Sequence, residues 1–173
     1  CFHENKLDEL VEYLVHIDHN VIFLLNENTV HKNTGTFECS SLDEFVQIVS
    51  FFSTWMNGVI FKRSAYTNLK EKDRSLGSFL IHTDIMLRMI SQSRKSMIIN
   101  RRMTYETEVL SKGGYDFFKV FISNYLDLYD EYLKSALLSP ETYKKEKTKL
   151  LKDYIFPWYM KFIFNRKCYY FDN

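Results

Sequence analysis

Three short apolar runs limit what this chain can become: VIFLL at 21–25, GVIF at 58–61 and SMII at 96–99. Each is too short for a helix and is bounded by polar or basic residues. Continuous rather than alternating apolar character marks a strand covered on both faces. Segments of helical period separate them. In ENKLDELVEYLVHI, Leu7, Leu10, Val11 and Leu14 recur at helical spacing with acids on the other face. SSLDEFVQIVSFF opens with a capping box from Ser41 to Glu44 and predicts a helix to about Phe52. GSFLIHTDIMLRM begins another, running to about Gln92. Helix, strand, helix, strand, helix, strand is the pattern of a layered α/β domain. Gly58 marks a close backbone approach at the second run. The polar stretch 29–40 holds at most a short strand around Phe37, and TNLKEKDRS at 67–75 reads as a charged connection.

The pattern changes after Gly113-Gly114, the one flexible point the sequence offers. YDFFKVFISNYLDLYDEYLKSALL predicts about six helical turns. SPETYKKEKTKLLKDYIF then restarts with Ser139 as cap and Pro140 at the first helical position. Pro157 should kink or end that second helix. The organisation expected is therefore an α/β part over 1–114 and a helical extension over 115–173. With only 5 Gly and 2 Pro against 15 Phe and 12 Tyr, the composition favours such helices over a strand-and-turn sandwich.

Charge is segregated beneath a net charge of +1. Residues 1–59 carry two basic and nine acidic side chains, 60–102 ten and three, and 141–173 eight and four. A basic middle and tail favour an anionic partner such as a phosphate, a nucleotide or a lipid headgroup, or else are solvated faces that balance across the fold. No nucleic-acid recognition motif accompanies the basic residues. Cys1, Cys39 and Cys168 have no metal-ligand spacing and read as reduced thiols of a cytoplasmic protein. No apolar run reaches membrane-spanning length.

Motifs for common chemistries are absent from the sequence: there is no phosphate-cradling Gly-rich loop, no H-E-x-x-H, no G-x-S-x-G and no Asp-x-Asp. Asp127, Asp130 and Glu131, with Lys134 one turn on, read as a solvated face. Trp55 and Met56, just before a strand, read on composition as core. The residues that stand out are His82, Thr83 and Asp84, which interrupt an apolar helix. A charge there needs a partner, a solvent-lined cleft or a task. Asp84 and Arg88 are spaced for an i, i+4 ion pair. Alternatively Asp84, near a helix N-terminus and facing a cleft, would accept a proton from a substrate hydroxyl.

The ordered segments SLDEFVQIVSFFSTWMNGVIFKRSAY, LGSFLIHTDIMLRMISQSRKSMIIN and a Tyr/Lys-rich helical tail resemble the C-terminal half of family 2 glycosyltransferases. The similarity is to bacterial enzymes of surface and capsular polysaccharide assembly. It implies the C-terminal part of a GT-A-like mixed sheet with flanking helices, and inverting transfer from a nucleotide-diphosphate sugar to a lipid-linked glycan acceptor. Asp84 then matches the aspartate that serves as catalytic base, with Thr83 where the family carries glutamate and His82 as second candidate. Trp55, Met56, Asn57 and Lys62 or Arg63 would line the acceptor and diphosphate side. The donor half, with its Asp-x-Asp and its Mg or Mn ion, would lie upstream of Cys1. This chain would bind no cofactor alone and would not transfer sugar alone. Lys144, Lys145, Lys147, Lys149 and Lys152, followed by FPWYMKFIF, would touch the inner face of an anionic membrane or simply stay solvated. The alternative is a non-catalytic helical module whose basic aromatic surface binds a protein or a membrane.

Overall fold

The computed structural model describes residues 2–27, 34–93, 95–105 and 115–165. Four strands form one mixed sheet: β1 (Val21–Leu24), β2 (Gly35–Cys39), β3 (Val59–Phe61) and β4 (Ser96–Asn100), in the order β2-β4-β1-β3. β1 and β4 are parallel, with Ile22 opposite Met97 and Leu24 opposite Ile99. The edge strands run the other way, β3 against β1 and β2 against β4.

The apolar runs are continuous because the central strands are covered on both sides. Val21, Phe23 and Leu25 enter one core, while Ile22 and Leu24 enter another with Leu10, Met97, Ile99 and Met103. The second core lies under α1 (Lys6–Val15), whose inward residue is Leu10. The first and larger core receives α2 (Leu42–Val49) and α4 (Ile81–Ser93). In α2 the Ser41 cap forms as expected, its Oγ accepting from Glu44 N at 3.2 Å, while the Glu44 carboxylate accepts from Ser40 N at 2.7 Å, one residue before the cap.

The helical extension enters that same core through Phe117, Val120, Tyr125, Tyr129, Leu138 and Leu150, so the two parts of the chain share one interior. The boundary at Gly113-Gly114 lies outside the described residues. A π-helical stretch, Lys119–Asn124, leads into α5 (Tyr125–Lys134). After a turn, α6 (Pro140–Lys149) starts with Ser139 as cap, its Oγ accepting from Thr142 N at 3.2 Å, and Pro140 at the start. Pro157 does not end the helix. A second π stretch, Leu150–Ile155, comes directly before α7 (Phe156–Asn165). A proline cannot donate to the preceding turn and crowds its carbonyl, and a widened turn is one way for a helix to pass it.

Three local expectations change. Residues 63–68 of the segment after β3 form a short helix, α3 (Arg63–Asn68). The polar stretch yields a full edge strand, β2. α4 begins four residues later than GSFLIHTDIMLRM suggested, because Phe79 adopts a left-handed backbone (φ 62°) that interrupts any helix.

Candidate functional site

The C-terminal ends of the parallel strands β1 and β4 define one edge of the sheet, where open α/β sheets place their ligands. The turn Met56–Gly58 sits against that edge. A Cβ on Gly58 would lie 3.0 Å from the Leu24 carbonyl oxygen and 3.0 Å from Phe23 Cζ, so only glycine lets the backbone come this close. The approach turns Trp55 and Met56 outward. Their relative exposures are 36% and 67%, which corrects their reading as core residues.

The residue just before them meets α4. His82 Nε2 lies 2.8 Å from the Thr54 carbonyl oxygen and 3.3 Å from Thr83 Oγ1. The Thr83 hydroxyl donates to the Ser53 carbonyl at 3.1 Å, and the Thr54 carbonyl can only accept. Nε2 therefore carries the proton, and the lone pair of the neutral ring is on Nδ1. That Nδ1 is buried with no hydrogen-bond partner among the described residues. Burial holds the imidazole below its ordinary 6.5, the Thr54 contact working the other way, so the ring is neutral at pH 7.

Phe79, three residues before His82, is 63% exposed, and its positive φ is uncommon for an aromatic residue. Its turn is held by Ser78, whose hydroxyl accepts from Leu80 N at 3.0 Å and donates to the Ser75 carbonyl at 2.7 Å. Asn124 Nδ2 donates to the Ser78 carbonyl at 2.9 Å from the helical extension.

Asp84 does not face a cleft. Its side chain has no exposure and is held from three sides. Arg74 Nε donates to Oδ2 at 2.9 Å and Arg74 Nη2 bonds Oδ1. Arg88 Nε lies 3.2 Å from Oδ2, as the i, i+4 spacing suggested, though within the protein rather than at its surface. Tyr132 on α5 donates to Oδ1 at 3.2 Å. Burial alone would raise the carboxyl, but the Arg74 hydrogen bonds and the two guanidinium charges outweigh it and hold Asp84 below its ordinary 3.8. Arg88 continues outward, its Nη1 and Nη2 donating to the carbonyls of Lys70 and Glu71 at 2.8 and 3.0 Å. Asp84 thereby ties the charged connection to α4 and α5.

The remaining candidates separate along the sheet. Because β3 runs antiparallel to β1, it carries the chain from Gly58 to the opposite edge. There Lys62 N donates to the Asn20 carbonyl at 3.0 Å and the Lys62 ammonium pairs with Asp18. Arg63 opens α3 beside it. The structure groups His82 with Thr54, Trp55, Met56 and Asn57, and places Lys62 and Arg63 at the far end. Sequence reading missed Arg74 and Tyr132. A buried carboxylate calls for cations, and Arg74 was one of the nearest in sequence; Tyr132, 48 residues on, had no sequence signal. On the acidic face of α5, Lys134 pairs with Asp130, while Glu131 reaches Arg74 at 3.3 Å.

Among the described residues no three His, Cys, Asp or Glu side chains come together in a group that could hold a metal ion. Nor, among them, is any helix long and apolar enough to cross a membrane. Comparison with protein-family models, curated proteins and solved structures finds no match for the chain.

Proposed function

We propose that the chain is the acceptor-side part of an inverting glycosyltransferase, with His82 in the role of general base. The observation that carries the choice of base is the contrast between two side chains one helical turn apart at most. The His82 ring is neutral, has its proton assigned to Nε2 by Thr54, and keeps an uncommitted lone pair on Nδ1. Asp84 has both oxygens engaged by Arg74, Arg88 and Tyr132, and a carboxyl held that low is a weak proton acceptor.

In the step envisaged, an acceptor hydroxyl oxygen attacks the anomeric carbon while the bond from that carbon to the diphosphate oxygen breaks. The bonding pair leaves with the diphosphate, and the hydroxyl proton passes to His82 Nδ1. Because Nδ1 is shielded in the substrate-free chain, acceptor binding has to open it; catalytic contacts commonly tighten only in the substrate complex. Trp55, Met56 and Asn57 stand exposed beside His82 at the edge where an acceptor would enter. Lys62 and Arg63, at the opposite edge, have no part in this reading.

The test joins this chain to a nucleotide-sugar-binding half and follows nucleoside diphosphate release from a panel of hexose donors with a glycan acceptor. His82→Ala should lower transfer about a hundredfold or more, as loss of a general base does, with the fold retained by circular dichroism. Near-normal turnover in that variant would sink the assignment.

A further inference from the structure

α7 has two apolar faces, and among the described residues one is covered while the other is largely open, with Tyr159 touching Phe118 at its margin (ring centroids 6.3 Å apart). Its inner face packs Trp158 and Phe162 against Phe117, at ring-centroid distances of 5.8 and 5.6 Å. Its outer face leaves Phe156 58% and Phe164 73% exposed, with Tyr159 and Ile163 between them about half exposed. Large apolar residues grouped on one exposed helix face point to a contact surface. Next along the same continuous helix, a basic stripe of Lys152, Thr148, Lys144 and Lys145 lines a shallow groove with Lys149, Glu141 and Asp153. Lys145 is paired with Glu141, but Lys144 and Lys152 have no ion-pair partner among the described residues.

We infer that this stripe is a docking surface for an anionic lipid bilayer, with Phe156, Tyr159, Ile163 and Phe164 entering the headgroup boundary and Lys144, Lys145 and Lys152 resting on acidic headgroups. Charge decides between occupants. A second copy of the chain docked in parallel would set lysines against lysines, and docked antiparallel would set lysines against the apolar end. A free phosphate or nucleotide would engage the lysines and leave the aromatic end in water. An anionic bilayer satisfies both ends of the stripe, the combination that holds amphipathic helices at interfaces. The inference is independent of sugar transfer, since it uses neither His82 nor the residues grouped with it.

The test is sedimentation of the full chain with vesicles of phosphatidylcholine alone, or with one lipid in three replaced by phosphatidylglycerol. Partition should favour the anionic vesicles by about tenfold or more at low ionic strength and collapse at high salt. Lys144→Glu with Lys152→Glu should remove that preference. Phe156→Ser with Ile163→Ser should cut binding about tenfold, each with the melting temperature unchanged, as expected at exposed positions. Equal recovery on neutral vesicles, or no recovery on either, overturns the inference. So does concentration-dependent self-association that Phe156→Ser abolishes, which would make a second copy the occupant.

Discussion

Arg74 Nε and Asp84 Oδ2 lie 2.9 Å apart, and this contact ties a charged connection to the buried face of α4. Removing one member of such a pair leaves the other charge uncompensated, at about 3–5 kcal/mol. Arg74 retains 35% side-chain exposure and can turn to water, so the cost should fall at the lower end. Asp84→Asn should therefore lower stability by about 3 kcal/mol, read as a shift in urea midpoint. His82→Ala loses a single neutral hydrogen bond, about 1 kcal/mol. If the two variants melt alike, Asp84 is not the staple described.

The same carboxyl sets an acid limit. Its folded pKa lies below the unfolded 3.8, so its contribution is complete above about pH 4 and disappears as pH falls through the folded value. The urea midpoint of the wild type should drop in that range more steeply than that of Asp84→Asn. Parallel curves would contradict the assignment.

Glu146 behaves in the opposite sense. It is buried in the shared core, where it accepts from Tyr125 Oη at 2.7 Å with Ser50 and Lys149 nearby. Burial dominates these contacts and raises its pKa above 4.5. The stability it contributes is complete below about pH 4.5 and is lost as pH rises through the folded value. Glu146→Gln keeps an acceptor for Tyr125 without the charge, so it should gain stability relative to the wild type between acid and neutral pH. A relative loss over that range would show that the ionised carboxylate is accommodated.

Gly58→Ala probes the sheet edge. The added Cβ would meet a backbone carbonyl at 3.0 Å, which cannot yield as a flexible side chain would. Overpacking of this kind costs about 1–3 kcal/mol, and thermal unfolding should record it. The substitution should also displace Trp55 and Met56, visible as a change in Trp55 fluorescence relative to a Trp158→Phe background. An unperturbed spectrum would separate the turn from the strand contact.

The strands were legible because burial on both faces writes a continuous apolar run into the chain, and β1, β3 and β4 fall where the runs predict. The starts of α2 and α6 were equally legible, since Ser41 with Glu44 and Ser139 with Pro140 satisfy helix ends through residues adjacent in sequence. β2 was barely visible: an edge strand half exposed along GTFE carries no continuous run. The left-handed Phe79 gave no sign either: besides the local bonds of Ser78, its turn takes a hydrogen bond from Asn124, 46 residues from Ser78.

The candidate site shows the same division. That His82 and Asp84 interrupt an apolar helix start is a property of the sequence, and it required each to have a partner or a task. Which had which was decided by tertiary structure. Asp84 received Arg74 and Arg88, and Tyr132 of α5, whose hydroxyl reaches it from 48 residues away. His82 received the Thr54 carbonyl and kept Nδ1 free of partners among the described residues. The direction of β3 moved Lys62 and Arg63 to the opposite edge, although they follow Trp55 and Met56 by only a few residues. Local spacing determines helices, strands and caps, since their partners lie within a turn. Strand direction and long-range polar pairing depend on how those pieces pack, and that is where this site was made.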